Sequence, residues 1–276
     1  MISFIRIILK FLFVILLLSI SACSSLPNSK IAQTEYGEFT YYLSGDRKPT
    51  VIFESGLGDD MTTWKPVIAQ IETISEVFTY NRAGFSGSHS HNSKRNGAII
   101  VKELKALLES AGVTAPYILV GHSLGGGYME LFAKTFPDEV AGVVLVDPNS
   151  SKYPERCKAQ KLDFCDPPSD IPSWASMFLP SAVEGEIKGF AKTHSQVNAI
   201  NNFPNVPLVV LSATKNSTAQ SSKVSELYTQ MHRELAEMSF NSKFIICDTC
   251  THYIHKDEPS LVVEAIQWVK EQQQNQ

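Results

Sequence analysis

Ser123 lies in Gly121-His122-Ser123-Leu124-Gly125, directly after the apolar run Tyr117-Ile118-Leu119-Val120 and before a helix-compatible stretch, Gly126 to Lys134. A strand, a Gly-x-Ser-x-Gly turn and a helix in that order describe a nucleophile elbow. Its glycines allow close backbone approach where a Cβ would clash. The turn lifts the serine hydroxyl to the top of a sheet. It also sets the Leu124 N–H at a helix N-terminus, where it can donate to a developing oxyanion. A serine is a weak nucleophile by itself and needs a general base. His252 and its near rival His255 both follow the last predicted strand and precede a Pro-started helix. His122 adjoins the serine within the turn and His232 falls inside a predicted helix, so both fit less well. Cys247, Cys250, His252 and His255 form C-x-x-C-x-H-x-x-H, which suggests zinc. One residue between Cys250 and His252 leaves little room for a tetrahedral loop, so no metal is expected. A C-x-x-C redox site would open a helix, which this pair does not do.

These residues need elements to hold them. Strands are predicted at Glu38–Leu43, Thr50–Phe53, Glu76–Tyr80, the elbow run, Val140–Val146, Pro207–Leu211 and Lys243–Cys247. Helices are predicted at Trp64–Ile74, over Ile100 to Ala111 with Gly112 as its stop, after the elbow, at Lys223–Met238 and from Pro259 onward. Strands alternating with helices imply an α/β fold with a mostly parallel sheet covered on both faces. Sites in such sheets lie beyond the C-terminal strand ends, where every chemical candidate here falls. Pro148 to Asn205 is far longer than a usual connection of about 2–6 residues and reads as irregular with short helical pieces. Trp174 and Phe178 in it are expected to line a substrate pocket as part of a small lid, or else to pack the insertion onto the core.

The chain has 276 residues, 43% of them hydrophobic, and a formal charge of −4, which suits one α/β domain over 35–276. No basic patch points to nucleic acid. Arg6 and Lys10 with the apolar run from Phe11 to Leu18 and the small residues up to Ala22 read as a signal peptide over 1–22. Ile20-Ser21-Ala22-Cys23 resembles a bacterial lipobox. That resemblance implies acylation of Cys23 and membrane attachment, and Ser24 after it implies the periplasmic face of the outer membrane rather than the cell membrane. Residues 23–34 then read as a polar tether. Export would put Cys157, Cys165, Cys247 and Cys250 in an oxidising compartment. Three pairings are open, and the local one, 157 with 165 and 247 with 250, is the most economical.

Glu54-Ser55-Gly56-Leu57-Gly58, Tyr80 to Ser86, the elbow, Val144 to Pro148 and Thr251-His252-Tyr253-Ile254 together resemble an α/β-hydrolase over residues 35–272. The resemblance implies a triad with His252 as base. It implies Asp147 as its acid, since the loop after Leu211 carries no carboxylate; Asp248 is the runner-up. It also supplies Leu57 N–H as the second oxyanion donor beside Leu124. The chain departs from the family with Asn81 in place of an aspartate and Glu54 in place of a histidine. The implied activity is cofactor-free cleavage of an ester or related acyl bond in a small molecule through an acyl-enzyme. C–C bond hydrolysis or cofactor-free haloperoxidation on the same fold, and a triad-bearing binding protein without turnover, stay open.

Overall fold

The structure, a computed structural model, describes residues 25–92, 94–162, 165, 177, 179–215 and 222–274. The expected leader, Cys23, Trp174 and Phe178 lie outside the described residues.

Four buried, nearly uninterrupted apolar runs form the centre: β3 (Thr50–Glu54), β6 (Tyr117–His122), β7 (Val140–Val146) and β8 (Leu208–Ala213). Strands covered on both faces read this way because neither face meets water. With β1 (Lys30–Thr34), β2 (Gly37–Ser44), β4 (Val77–Tyr80) and β9 (Ser242–Cys247) they make a sheet in the order β1-β2-β4-β3-β6-β7-β8-β9, and β5 (His89–Ser90) pairs with β2. Pairing is parallel from β4 through β9 and antiparallel around β2.

One face carries α2 (Gly97–Ser110), α3 (Leu124–Thr135), α5 (Ser181–Asn198) and α6 (Ser222–Ala236). The other carries α1 (Lys65–Ile71) and α8 (Pro259–Gln274). Helix α2 turns Ile100, Leu104, Leu107 and Leu108 to the core and stops at Gly112, whose φ of 72° is the left-handed stop expected there. Short helices α4 (Tyr153–Ala159) and α7 (Ile254–Asp257) complete the set. Both local cysteine pairs are disulfides, 157 with 165 and 247 with 250, each with Cα atoms 5.3 Å apart.

Three expectations are corrected. The tether over 23–34 is structured from Leu26 onward: Leu26 is buried, and Lys30–Thr34 is an edge strand in register with β2. Its sequence hides this because Ala32 is the only fully buried side chain of the five. Trp64 closes a 3-10 turn over Met61–Trp64, and the helix proper begins at Lys65. The insertion between β7 and β8 contains the 18-residue α5, not only short helical pieces. The buried face of α5 includes Glu186, Thr193 and His194, so no apolar period marks it. Leu179 and Phe190 pack onto the core.

Candidate active site

The elbow forms because its neighbours leave no space for side chains. A Cβ on Gly121 would lie 2.6 Å from the Gly125 carbonyl oxygen, and one on Gly125 would lie 2.5 Å from the carbonyl oxygens of Glu54 and Ser55. Ser123 takes φ 53° and ψ −120°, a strained conformation for a residue with a Cβ. It sits between β6 and α3 at the C-terminal edge of the sheet.

Asp147 follows β7, also at positive φ (43°). Its Oδ1 accepts from the Ala213 N–H at 2.8 Å, and its Oδ2 lies 2.6 Å from His252 Nδ1. A carboxylate can only accept here, so Nδ1 carries the proton and Nε2 is left as the basic nitrogen. His252 stands on the loop between β9 and α7. That loop is tied down by the Cys247–Cys250 disulfide and by Asp257 Oδ2, which accepts from both the N–H and the hydroxyl of Thr251 at 2.7 and 2.6 Å. These two hydrogen bonds hold the Asp257 carboxyl below its ordinary range. Ser123, Asp147 and His252 line one cavity of about 440 Å³, shared with Asn149, Thr214, Lys215 and Tyr228.

The loop after β3 closes the other side. A Cβ on Gly56 would come within 3.3 Å of Ser123 Cβ, which puts the Gly56–Leu57 peptide against the elbow. Among the described residues neither the Leu57 nor the Leu124 N–H meets an acceptor. Two unclaimed backbone donors beside a serine hydroxyl are what an oxyanion hole requires.

The rivals are engaged elsewhere. Asp248 is exposed and accepts from the Thr214 hydroxyl at 3.2 Å. His255 is fully buried, its ring 4.5 Å from that of Trp64 and its Nε2 2.9 Å from Thr63 Oγ1. The C-x-x-C-x-H-x-x-H residues are therefore committed to a disulfide, to Asp147 and to Thr63.

Two histidines that looked poorly placed as bases brace the site. His122 Nε2 donates to the His252 carbonyl oxygen at 2.9 Å, linking the residue before the serine to the candidate base. His232 Nε2 donates to the Pro148 carbonyl oxygen at 2.8 Å, and its Nδ1 lies 2.8 Å from Ser212 Oγ, beneath Asp147. The signal for His122 was its place beside Ser123, at the end of β6. Nothing local marked His232.

The two departures from the family pattern also have roles. Asn81 Oδ1 accepts from the Met61 N–H at 2.9 Å and its Nδ2 donates to the Ser86 carbonyl oxygen at 3.1 Å. An aspartate would set an acceptor against that carbonyl. Glu54 is buried, takes a hydrogen bond from Tyr80 at 2.5 Å and pairs with Arg82 at 2.7 Å. Burial pushes its carboxyl up, and Arg82 works against that.

Burial pushes His255 down to about 3 and His194 to about 4 from an ordinary 6.5, and lowers His122 and His232 as well. The unfolded chain takes up protons on these rings below 6.5 while the folded chain does not. Stability therefore falls as pH drops from 6.5 towards 3. The raised carboxyls of Glu54 and Asp59 work in the opposite sense and are common to any histidine variant. His255→Phe should make the acid-side fall of Tm shallower, whatever the loss of the Thr63 bond does to its offset, and leave kcat near wild type. An unchanged slope, measured by thermal melts across that range, would refute this account of His255.

A parallel-centred α/β sheet with a serine elbow, a histidine after the last strand and a carboxylate between them defines a fold class. The comparisons agree. The model for the alpha/beta hydrolase fold matches residues 49–185. The uncharacterized protein YqjL of Bacillus subtilis is 31% identical over 230 residues, covering 82% of this chain and 85% of that protein. Among solved structures, the candidate lipase lip1 of Acinetobacter baumannii AYE superposes with a TM-score of 0.69 at 18% identity, covering 96% of this chain and 97% of that one. A thermophilic esterase from Thermogutta terrifontis gives 0.65 at 18% identity, covering 88% and 98%. The chain belongs to the α/β-hydrolase fold family.

Proposed function

We propose that the protein is a serine hydrolase that cleaves a compact carboxylic ester or related acyl bond through an acyl-enzyme. The observation that carries this reading is the 2.6 Å contact between His252 Nδ1 and Asp147 Oδ2 in the cavity that holds Ser123. Ser123 Oγ attacks the acyl carbon while His252 Nε2 takes its proton. Asp147 stabilises the imidazolium, and the Leu57 and Leu124 N–H groups receive the oxyanion. Collapse expels the alcohol, which takes the proton from His252. Water, activated by the same ring, then releases the acid and restores Ser123.

Asn149, Thr214, Lys215, Tyr228 and Thr251 give the cavity hydroxyl, amide and ammonium groups. Such a lining favours short or polar substrates over long alkyl chains. Trp174 and Phe178 are proposed to complete the acyl side. Hydrolysis of p-nitrophenyl esters of graded chain length by the mature domain tests the reading. Acetate and butyrate should turn over well and palmitate poorly. A Ser123 that no fluorophosphonate labels would instead indicate a binding protein, and turnover of vinylogous ketones in place of esters would indicate C–C bond hydrolysis.

We also propose export and anchoring through acylated Cys23, on the periplasmic face of the outer membrane. The lipobox pattern and two disulfides support this. Mass spectrometry of the N-terminal peptide should find acyl chains on Cys23. A mature N-terminus elsewhere would refute it.

A further inference from the structure

Arg82 stands on the loop after β4 and is 2% exposed. All five of its N–H donors are used. Nη1 donates to Glu54 Oε1 and to the Ser55 carbonyl oxygen, each at 2.7 Å. Nη2 donates to the Gly56 carbonyl oxygen at 2.8 Å and to Glu186 Oε2 at 2.9 Å. Nε donates to Glu186 Oε1 at 2.6 Å. One planar fork thus grips two consecutive carbonyls of the loop after β3 and, on its other edge, a carboxylate of α5, the long helix of the insertion. The Arg82 loop is itself pressed onto α5, since a Cβ on Gly84 would lie 2.5 Å from Ala182 Cβ.

The grip has a directional consequence. In a trans peptide the carbonyl and the following N–H point opposite ways. Holding the Gly56 oxygen against Arg82 therefore turns the Leu57 N–H away from Arg82. Gly56 itself abuts Ser123, and the Leu57 N–H has no acceptor among the described residues. A rotation of this single peptide would remove the donor from the site and present a carbonyl oxygen in its place.

We propose that Arg82 is a positioning residue that aims the Leu57 N–H at the reacting oxygen, and that Glu186 holds Arg82 in that pose from the insertion helix; this rests on the serine-hydrolase reading. The packing of α5 is thereby coupled to transition-state stabilisation without α5 touching substrate. Lysine cannot replace the fork, because one ammonium cannot meet two carbonyls and two carboxylates set around a plane. Glutamine at 186 offers one acceptor where Arg82 needs two, so its effect is smaller. It also leaves Glu54 as counter-ion to Arg82, which favours a folded variant.

The test compares the wild-type protein with Arg82→Lys and Glu186→Gln, using a short p-nitrophenyl ester and an alkylboronic acid that forms a tetrahedral adduct on serine. Complete loss of an oxyanion donor costs about 10²–10³ in kcat. Arg82→Lys should accordingly lower kcat roughly 10- to 100-fold and Glu186→Gln about 3- to 10-fold, with KM little changed. The boronic acid Ki should rise by the same factor as kcat/KM falls. Binding of a non-hydrolysable amide analogue should not move. A merely structural role would lower Tm without shifting boronate affinity away from amide affinity. Should Arg82→Lys fail to fold, Glu186→Gln decides alone. Wild-type kcat and boronate affinity in the folded variants overturn the proposal. A wild-type protein that neither hydrolyses ester nor reacts with fluorophosphonate overturns the hydrolase reading instead.

Discussion

Ser123→Ala yields a folded protein that no fluorophosphonate labels and that forms no acyl-enzyme. Alanine keeps the Cβ and occupies the same strained backbone (φ 53°), so Tm should stay close to wild type. The loss in kcat should approach about 10⁶, because serine and histidine act as a unit. Both oxyanion donors survive, so a residual rate of roughly 10³–10⁴ over water is expected. Active-site titration with steady-state kinetics checks this. Wild-type turnover in Ser123→Ala would end the proposed mechanism.

The second large effect belongs to Asp147→Asn. The asparagine oxygen is best left on the Ala213 N–H, where Asp147 Oδ1 now accepts at 2.8 Å. Its amide NH₂ then faces His252 Nδ1, which must accept rather than donate. The proton moves to Nε2, and the ring can no longer take one from Ser123. A fall of about 10²–10⁴ in kcat is expected, with little change in KM. Asp248→Asn should be close to wild type, since that carboxylate faces Thr214. If the two variants behave the other way round, Asp248 is the acid.

Legibility in the sequence followed burial chemistry. The central strands and the elbow were readable because continuous apolar runs and closely spaced glycines leave few other solutions. Asp147 and His252 could be named as candidates because they follow strands at the edge where chemistry gathers, because the segment after Leu211 lacks a carboxylate, and because the family resemblance places a base and an acid there. Helix α5 was not readable, since it meets its neighbours through Glu186, Thr193 and His194 rather than through an apolar stripe. For the same reason Arg82 gave no sign of its reach: its partners lie 28 and 104 residues away. The supporting roles of His122 and His232 depend on carbonyls of His252 and Pro148 that only the folded chain brings near. Strand β1 was missed because an edge strand with one inward residue resembles a linker.

That edge strand and the burial of Leu26 ahead of it carry a geometric consequence. Only Ser24 and Ser25 separate Cys23 from a residue seated in the core. Three steps of extended chain span about 10 Å at most. A lipid on Cys23, as proposed above, would therefore hold the domain in near contact with the headgroups instead of letting it swing on a long leash. Its search for substrate would be confined to a thin layer at the bilayer surface. Lengthening the leash by inserting flexible residues between Ser25 and Leu26 would change which pool of the proposed substrate the protein samples while leaving the site itself untouched.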